Sequence, residues 1–276
     1  MFEDQTFTNE ALPNSAESAT GTSPASADLF RTAADPDLTE DLALALLKRP
    51  DLPPEILEKL AKNINAIRSR KVRIALASHA KSPRHVSVPL VRQLYAFDLV
   101  KIALSPSVPA DVKVVADDTL ISRLKALTLG ERLTLARRAS GRVAAALLLD
   151  VNNGDGKIKT AEVKGGKIKN AQTMAYETRV MHTALENPRL TETLVINSVL
   201  GSDAGADLVQ AVAQHAKWSC RREIRAALLR TKYLSLARAL EFSHEIPASL
   251  LHELLASSRL PEQIKHQLRR EQVEKT

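Results

Sequence analysis

Two short runs gather cations around a histidine at spacings suited to holding an anion. They are His79, Lys81 and Arg84 in SHAKSPRH, and His215, Lys217, Trp218, Arg221, Arg222 and Arg225 in QHAKWSCRREIR. Each run stands at or just before the expected start of an apolar helix. A helix N-terminus carries unsatisfied N–H groups and partial positive charge, so cations there gain nothing from the helix dipole. Basic side chains beside those N–H groups suit a phosphate or a partner's carboxylate, with the histidines as further donors. The competing reading is long side chains splayed into water, with Glu223 offsetting part of the repulsion. Trp218, the only tryptophan, reads either as a platform for a base or partner side chain or as a lid over a helix end.

Other chemistry is sparse. No GxSxG, HExxH, P-loop or strand-linked GxGxxG is present, so the chain is expected not to be an enzyme. One cysteine, Cys220, excludes an internal disulfide and is read as a small buried residue. His182, His244, His252 and His266 read as surface or turn residues. DVNNGDGKIKTAE resembles a calcium loop in which Asp150, Asn153, Asp155 and Glu162 would be the ligands. With Asp155 at the fifth loop position, however, Val151 takes the first, and calcium needs a carboxylate there. A polar loop without metal is therefore the expectation.

The elements that must position these residues follow from an Ala/Leu texture punctuated by proline. ALLKRPDLPPEIL, IALSPSVPADV, TALENPRLTETLV and LASSRLPEQI share one cadence: an apolar helix ends, a polar turn follows, and a new helix opens. Proline stops the first helix because it lacks the N–H, and proline or Thr/Ser/Asp starts the next. Aromatics make up only 3% of residues, so Leu, Ala, Val and Ile must do the packing, which suits helix-on-helix layers. Tyr95, Phe97, Tyr233 and Phe242 fall at helix ends among Leu and Ala and are expected in the core.

A longer self-similarity lays Ser78 onward over Gln214 onward, matching His79 to His215, Lys81 to Lys217 and Val108-Pro109 to Ile246-Pro247. Two related halves are therefore expected. Residues 1–36 are read as a disordered acidic tail, 37–149 as the first set of helical repeats and 150–177 as a Gly/Lys-rich insertion loop. That insertion duplicates GKIK. Residues 178–270 form the second set of repeats, and 271–276 a short tail.

The repeats resemble HEAT and armadillo-like units, and most of all the bacterial leucine-rich-repeat-variant type. VRIALASHAKSPRHV and LVKIALSPSVPADV carry the likeness. The resemblance implies an all-α fold, an α-solenoid of short stacked antiparallel helix pairs with a groove for partners. Some members of that type hold an iron–sulfur cluster on several cysteines. Cys220 alone cannot, so no cofactor is expected.

Formal net charge is +7, yet residues 1–41 hold nine acids against Arg31 alone, a local −8 that leaves +15 on the remainder. The expected function is a scaffold or adaptor binding a protein or peptide. A basic surface for nucleic acid is the alternative. No signal sequence or membrane-spanning stretch is evident, and a cytoplasmic location is expected.

Overall fold

The computed structural model describes residues 24–152 and 171–274. Among these residues there are eighteen α-helices, one 3-10 turn and no strand, so the protein is all-α. The first eight helices are α1 (Pro24–Ala34), α2 (Glu40–Leu47), α3 (Pro54–Lys62), α4 (Ile64–Arg68), α5 (Arg70–Ser78), α6 (Arg84–Gln93), α7 (Ala96–Leu104) and α8 (Ala110–Arg123). The 3-10 turn Leu124–Ala126 leads to α9 (Leu129–Arg138) and α10 (Gly141–Asn152). Then come α11 (Ala171–Leu185), α12 (Glu192–Leu200), α13 (Ala206–Gln214), α14 (Ala216–Ser219) and α15 (Arg222–Arg230). The last three are α16 (Leu236–His244), α17 (Ala248–Ser257) and α18 (Glu262–Glu274).

Local chemistry accounts for where these helices start. Thr39 accepts the Leu42 N–H at 3.4 Å at the head of α2, and Thr128 with Glu131 closes a reciprocal capping box at α9. The Thr128 backbone N–H, followed by its hydroxyl, holds the Glu131 carboxyl below the usual carboxylate range. Pro53, Pro83, Pro109 and Pro247 stand immediately before α3, α6, α8 and α17, where a missing N–H costs no helical hydrogen bond.

Packing runs in chain order. The substantial helix contacts join neighbours no more than three places apart, as in α5 with α6 and α7, α10 with α11 to α13, α12 with α15, and α15 with α17. One continuous core of Leu, Ala, Val and Ile extends from Ala33 to Leu268, and Trp218 and Phe242 are the aromatics fully inside it.

The turns share a device. Asp35, His79, Asn187, His215 and Ser258 each use a side-chain atom to accept the backbone N–H two residues on, at 2.8–3.2 Å. In four of these five turns a buried apolar residue follows and plugs the core: Leu38, Leu190, Trp218 or Leu260. Turn side chains also reach back to carbonyls left open at an earlier helix end. The Asn63 amide donates to Ala33 O at 3.2 Å and Asp35 O at 2.7 Å, and His79 Nε2 to Arg49 O at 2.9 Å. Arg123 donates to Leu94 O at 2.7 Å, Trp218 Nε1 to Leu185 O at 2.8 Å, and the Ser258 hydroxyl to Leu229 O at 2.5 Å. These links span 28–33 residues. Asn187 does the same to Ala136 O at 2.8 Å and Ala139 O at 3.2 Å, across an interval that includes residues 153–170.

Several boundaries differ from expectation. Helix begins at Pro24, within the stretch read as a tail, because Ala33 is fully buried and Leu29 packs on the core, which lets α1 dock on α3. The insertion is shorter than 150–177: α10 continues to Asn152, and α11 starts at Ala171 on a run of good helix formers. The expected C-terminal tail is partly the end of α18. Phe242 is in the core and Tyr233 is half-buried against it, whereas Tyr95 is 63% exposed and Phe97 41% exposed. Tyr95 precedes the first residue of α7 with its ring turned outward under the Arg70 guanidinium, 4.9 Å from the ring centre.

Candidate functional site

The histidines of the two basic runs are turn builders. In both, Nδ1 accepts the N–H of the lysine two residues on, at 3.2 Å. His79 is buried, and its Nε2 is committed to Arg49 O. Burial, its largest influence, moves His215 below its ordinary pKa, Glu186 opposes this, and His182 and Lys217 add to it. Lys81 is exposed, and Arg84 stands 3.7 Å from Asp111.

Trp218 is 1% exposed and fills the slot that leucine holds in other turns, which makes it a lid and leaves no open face for a base. The Lys217 ammonium lies 4.2 Å and the Arg221 guanidinium 5.4 Å from its ring centre. Arg221 pairs with Glu192 at 2.7 Å. Arg225 pairs with Glu245 and donates from Nε to Ser219 O at 2.5 Å, while Arg222 is exposed. The second run thus gathers Lys217 and Arg221 at the Trp218 ring while Arg225 lies over Phe242, and Arg221 and Arg225 are each neutralised by a glutamate. Its carrier helices, α13 to α15, are not packing neighbours of α5 and α6, which carry the first. Cys220, expected inside, is exposed because Trp218 takes the buried slot, and its thiol points to Lys217 O at 3.4 Å.

Of the calcium-loop residues, Asn153, Asp155 and Glu162 lie outside the described residues, as does the GKIK duplication. Asp150 belongs to α10, where its carboxylate meets Arg132 at 2.9 Å with both side chains almost wholly buried. Arg132 also donates from Nε to Leu124 O at 3.0 Å, so this pair clamps α9 and α10 onto the 3-10 turn. Among the described residues, no group of three or more His, Cys, Asp or Glu could hold a metal ion.

A different place carries the more distinctive geometry. The C-terminal ends of α12, α15 and α17 meet at a half-open cleft of about 360 Å³. Its lining includes Arg230, Lys232 and Arg259 and no carboxylate. The backbone N–H of Arg259 donates to Arg230 O at 3.1 Å, which fixes these two residues side by side. The Lys232 ammonium lies 4.7 Å from the ring centre of Tyr233, whose backbone carbonyl is held by Gln210 at 2.8 Å. Leu200 and Arg230 also border a mainly apolar groove of about 150 Å³ formed with Ile196, Ala226, Ala227, Ile246, Leu250 and Leu254, which Arg222 and Glu223 line as well.

Sequence reasoning missed this cleft. Its signal was present as two Ala/Leu helices ending in LLRTK and LASSR, cation-terminated turns that contain no acid. Cations at helix C-termini are dipole-favoured and so draw little notice.

No family model, curated protein or solved structure matches the chain.

Proposed function

We propose that the protein is a non-catalytic helical-repeat platform, an α-solenoid of short stacked helix pairs resembling the HEAT and leucine-rich-repeat-variant type, which binds a protein or peptide partner. Chain-order packing and reach-back links at intervals of about thirty residues support the repeat reading. The observation that carries the binding reading is the apolar groove between α12, α15 and α17, which opens through Leu200 and Arg230 into the cationic cleft. Apolar side chains would anchor there while charged groups set orientation.

The surplus of basic residues outside the acidic first 41 positions supports a second reading, nucleic-acid binding. Among the described residues the buried tryptophan leaves no stacking platform in the basic run. Fluorescence anisotropy with random-sequence peptides, and with mixed-sequence DNA and RNA, over a salt series separates the two. Peptide binding that survives moderate salt supports the platform. Binding confined to nucleic acid and steeply lost with salt overturns it in favour of the second reading.

A further inference from the structure

We propose that the cleft at the ends of α12, α15 and α17 receives the phosphate of a phosphorylated peptide, whose neighbouring apolar side chain lies in the groove beside Leu200. This rests on the platform reading above and narrows its ligand.

The argument begins with charge. Arg230, Lys232 and Arg259 place three cations on one cleft, and none of them meets an acid among the described residues. By contrast, Arg221, Arg225, Arg238 and Lys265 each pair with a glutamate. The three helix ends at the cleft offset part of this charge, each by about half an elementary charge. That leaves a residual of roughly +1.5, which a carboxylate of one charge undershoots and a phosphate of about −1.5 to −2 matches. Asp203, next to Ser202 in the chain, lies outside the lining and takes the Ser202 hydroxyl at 3.3 Å, while Glu223 lines the adjoining groove and not the cleft.

Donor supply agrees. The lining hydroxyls of Thr231 and Ser257 are spent on Leu228 O at 2.7 Å and Leu254 O at 3.2 Å. The donors left for a ligand are therefore two guanidinium forks, one ammonium and the Tyr233 phenol. Guanidinium forks match phosphate oxygens in pairs, and several such donors suit three phosphoryl oxygens better than two carboxylate oxygens.

The backbone link from Arg259 to Arg230 brings the two main chains together before any ligand arrives, so both side chains start from one side of the cleft. The apolar groove shares Arg230 with the cleft, so a residue close in sequence to the phosphorylated one reaches it without a long linker.

The test uses the full chain and three fluorescent peptide libraries that differ only at a fixed central residue: phosphoserine, serine or glutamate, each with leucine two positions on. We expect the phosphoserine library to bind about ten-fold or more tighter than the serine library, and Arg230→Gln with Arg259→Gln to erase that difference. Both arginines are exposed and the backbone link is retained, so an unchanged thermal melt certifies the variant fold. Equal binding of the serine and phosphoserine libraries, lost in Leu200→Asp, overturns the phosphate proposal and leaves the platform standing. Failure of every library to bind overturns both. A single-stranded oligonucleotide that binds with the same arginine dependence while the peptides do not overturns the proposal in favour of nucleic acid.

Discussion

Arg259 and Arg230 are joined main chain to main chain at 3.1 Å, and their predecessors repeat the link, with the Ser258 hydroxyl 2.5 Å from Leu229 O. Ser258 also accepts the Leu260 N–H at 3.0 Å. Ser258→Ala leaves a buried carbonyl and a buried N–H without partners, so it should lower stability by about 1–3 kcal/mol in urea unfolding. It should also raise the amide exchange rate of Arg259. A midpoint equal to that of the native chain would show that the link is incidental.

Two glycines should respond in opposite directions. A Cβ on Gly141 would stand 2.2 Å from Arg189 O, a main-chain atom that cannot swing aside, whereas a Cβ on Gly130 meets nothing within 4 Å. Gly130→Ala, within α9, should therefore stabilise by about 0.5–1 kcal/mol through helix propensity. Gly141→Ala should destabilise by more than that gain, because α10 must pull away from the turn before α12. Thermal melts of the two variants check the sign, and a stabilised Gly141→Ala would contradict the close approach.

Arg132 and Asp150 form the most buried ion pair among the described residues. Asp150→Ala strands a buried guanidinium and should cost about 3–5 kcal/mol, whereas Arg132→Met with Asp150→Leu should recover most of the loss. Denaturant unfolding of the single and double variants gives the comparison. Equal losses in both would mean that packing, not charge, sets the cost.

The His215 turn should make stability depend on pH. Burial favours its neutral form, so its folded pKa lies below the unfolded value of 6.5. Between those two values the unfolded chain binds more protons. The contribution is therefore complete above the unfolded value and is lost as pH falls through the folded one. His215→Asn keeps an acceptor for the Lys217 N–H, as Asn187 does for Arg189, but cannot titrate. The gap in urea midpoint between native and variant should change across this window. A gap independent of pH would remove His215 as the source.

Much of the fold was legible because proline and Thr39-type caps act locally: the starts of α2, α3, α8 and α17 follow from adjacent residues. The reach-back links were not. A histidine or asparagine ending a helix looks like any polar surface residue until its partner carbonyl, some thirty residues away, is brought beside it. Tyr95 and Phe97 were misjudged because composition near a helix end does not reveal which side of the helix faces inward. For the site, the basic runs were visible as clusters along the chain, yet Glu192 and Glu245, supplied by other turns, pair with their arginines. The cleft was invisible for the converse reason, since Arg230 and Arg259 are far apart in the sequence and made adjacent by the Arg259 N–H and the Ser258 hydroxyl.

Because Trp218 is the only indole and is sealed against Leu185 O, excitation at the red edge, where the three tyrosines do not absorb, addresses a single fluorophore planted at the joint between α11 and α14. Its emission reports the loosening of that joint alone. Circular dichroism averages over every helix, so a mismatch between the two melting profiles would reveal that this joint opens apart from the rest of the helices.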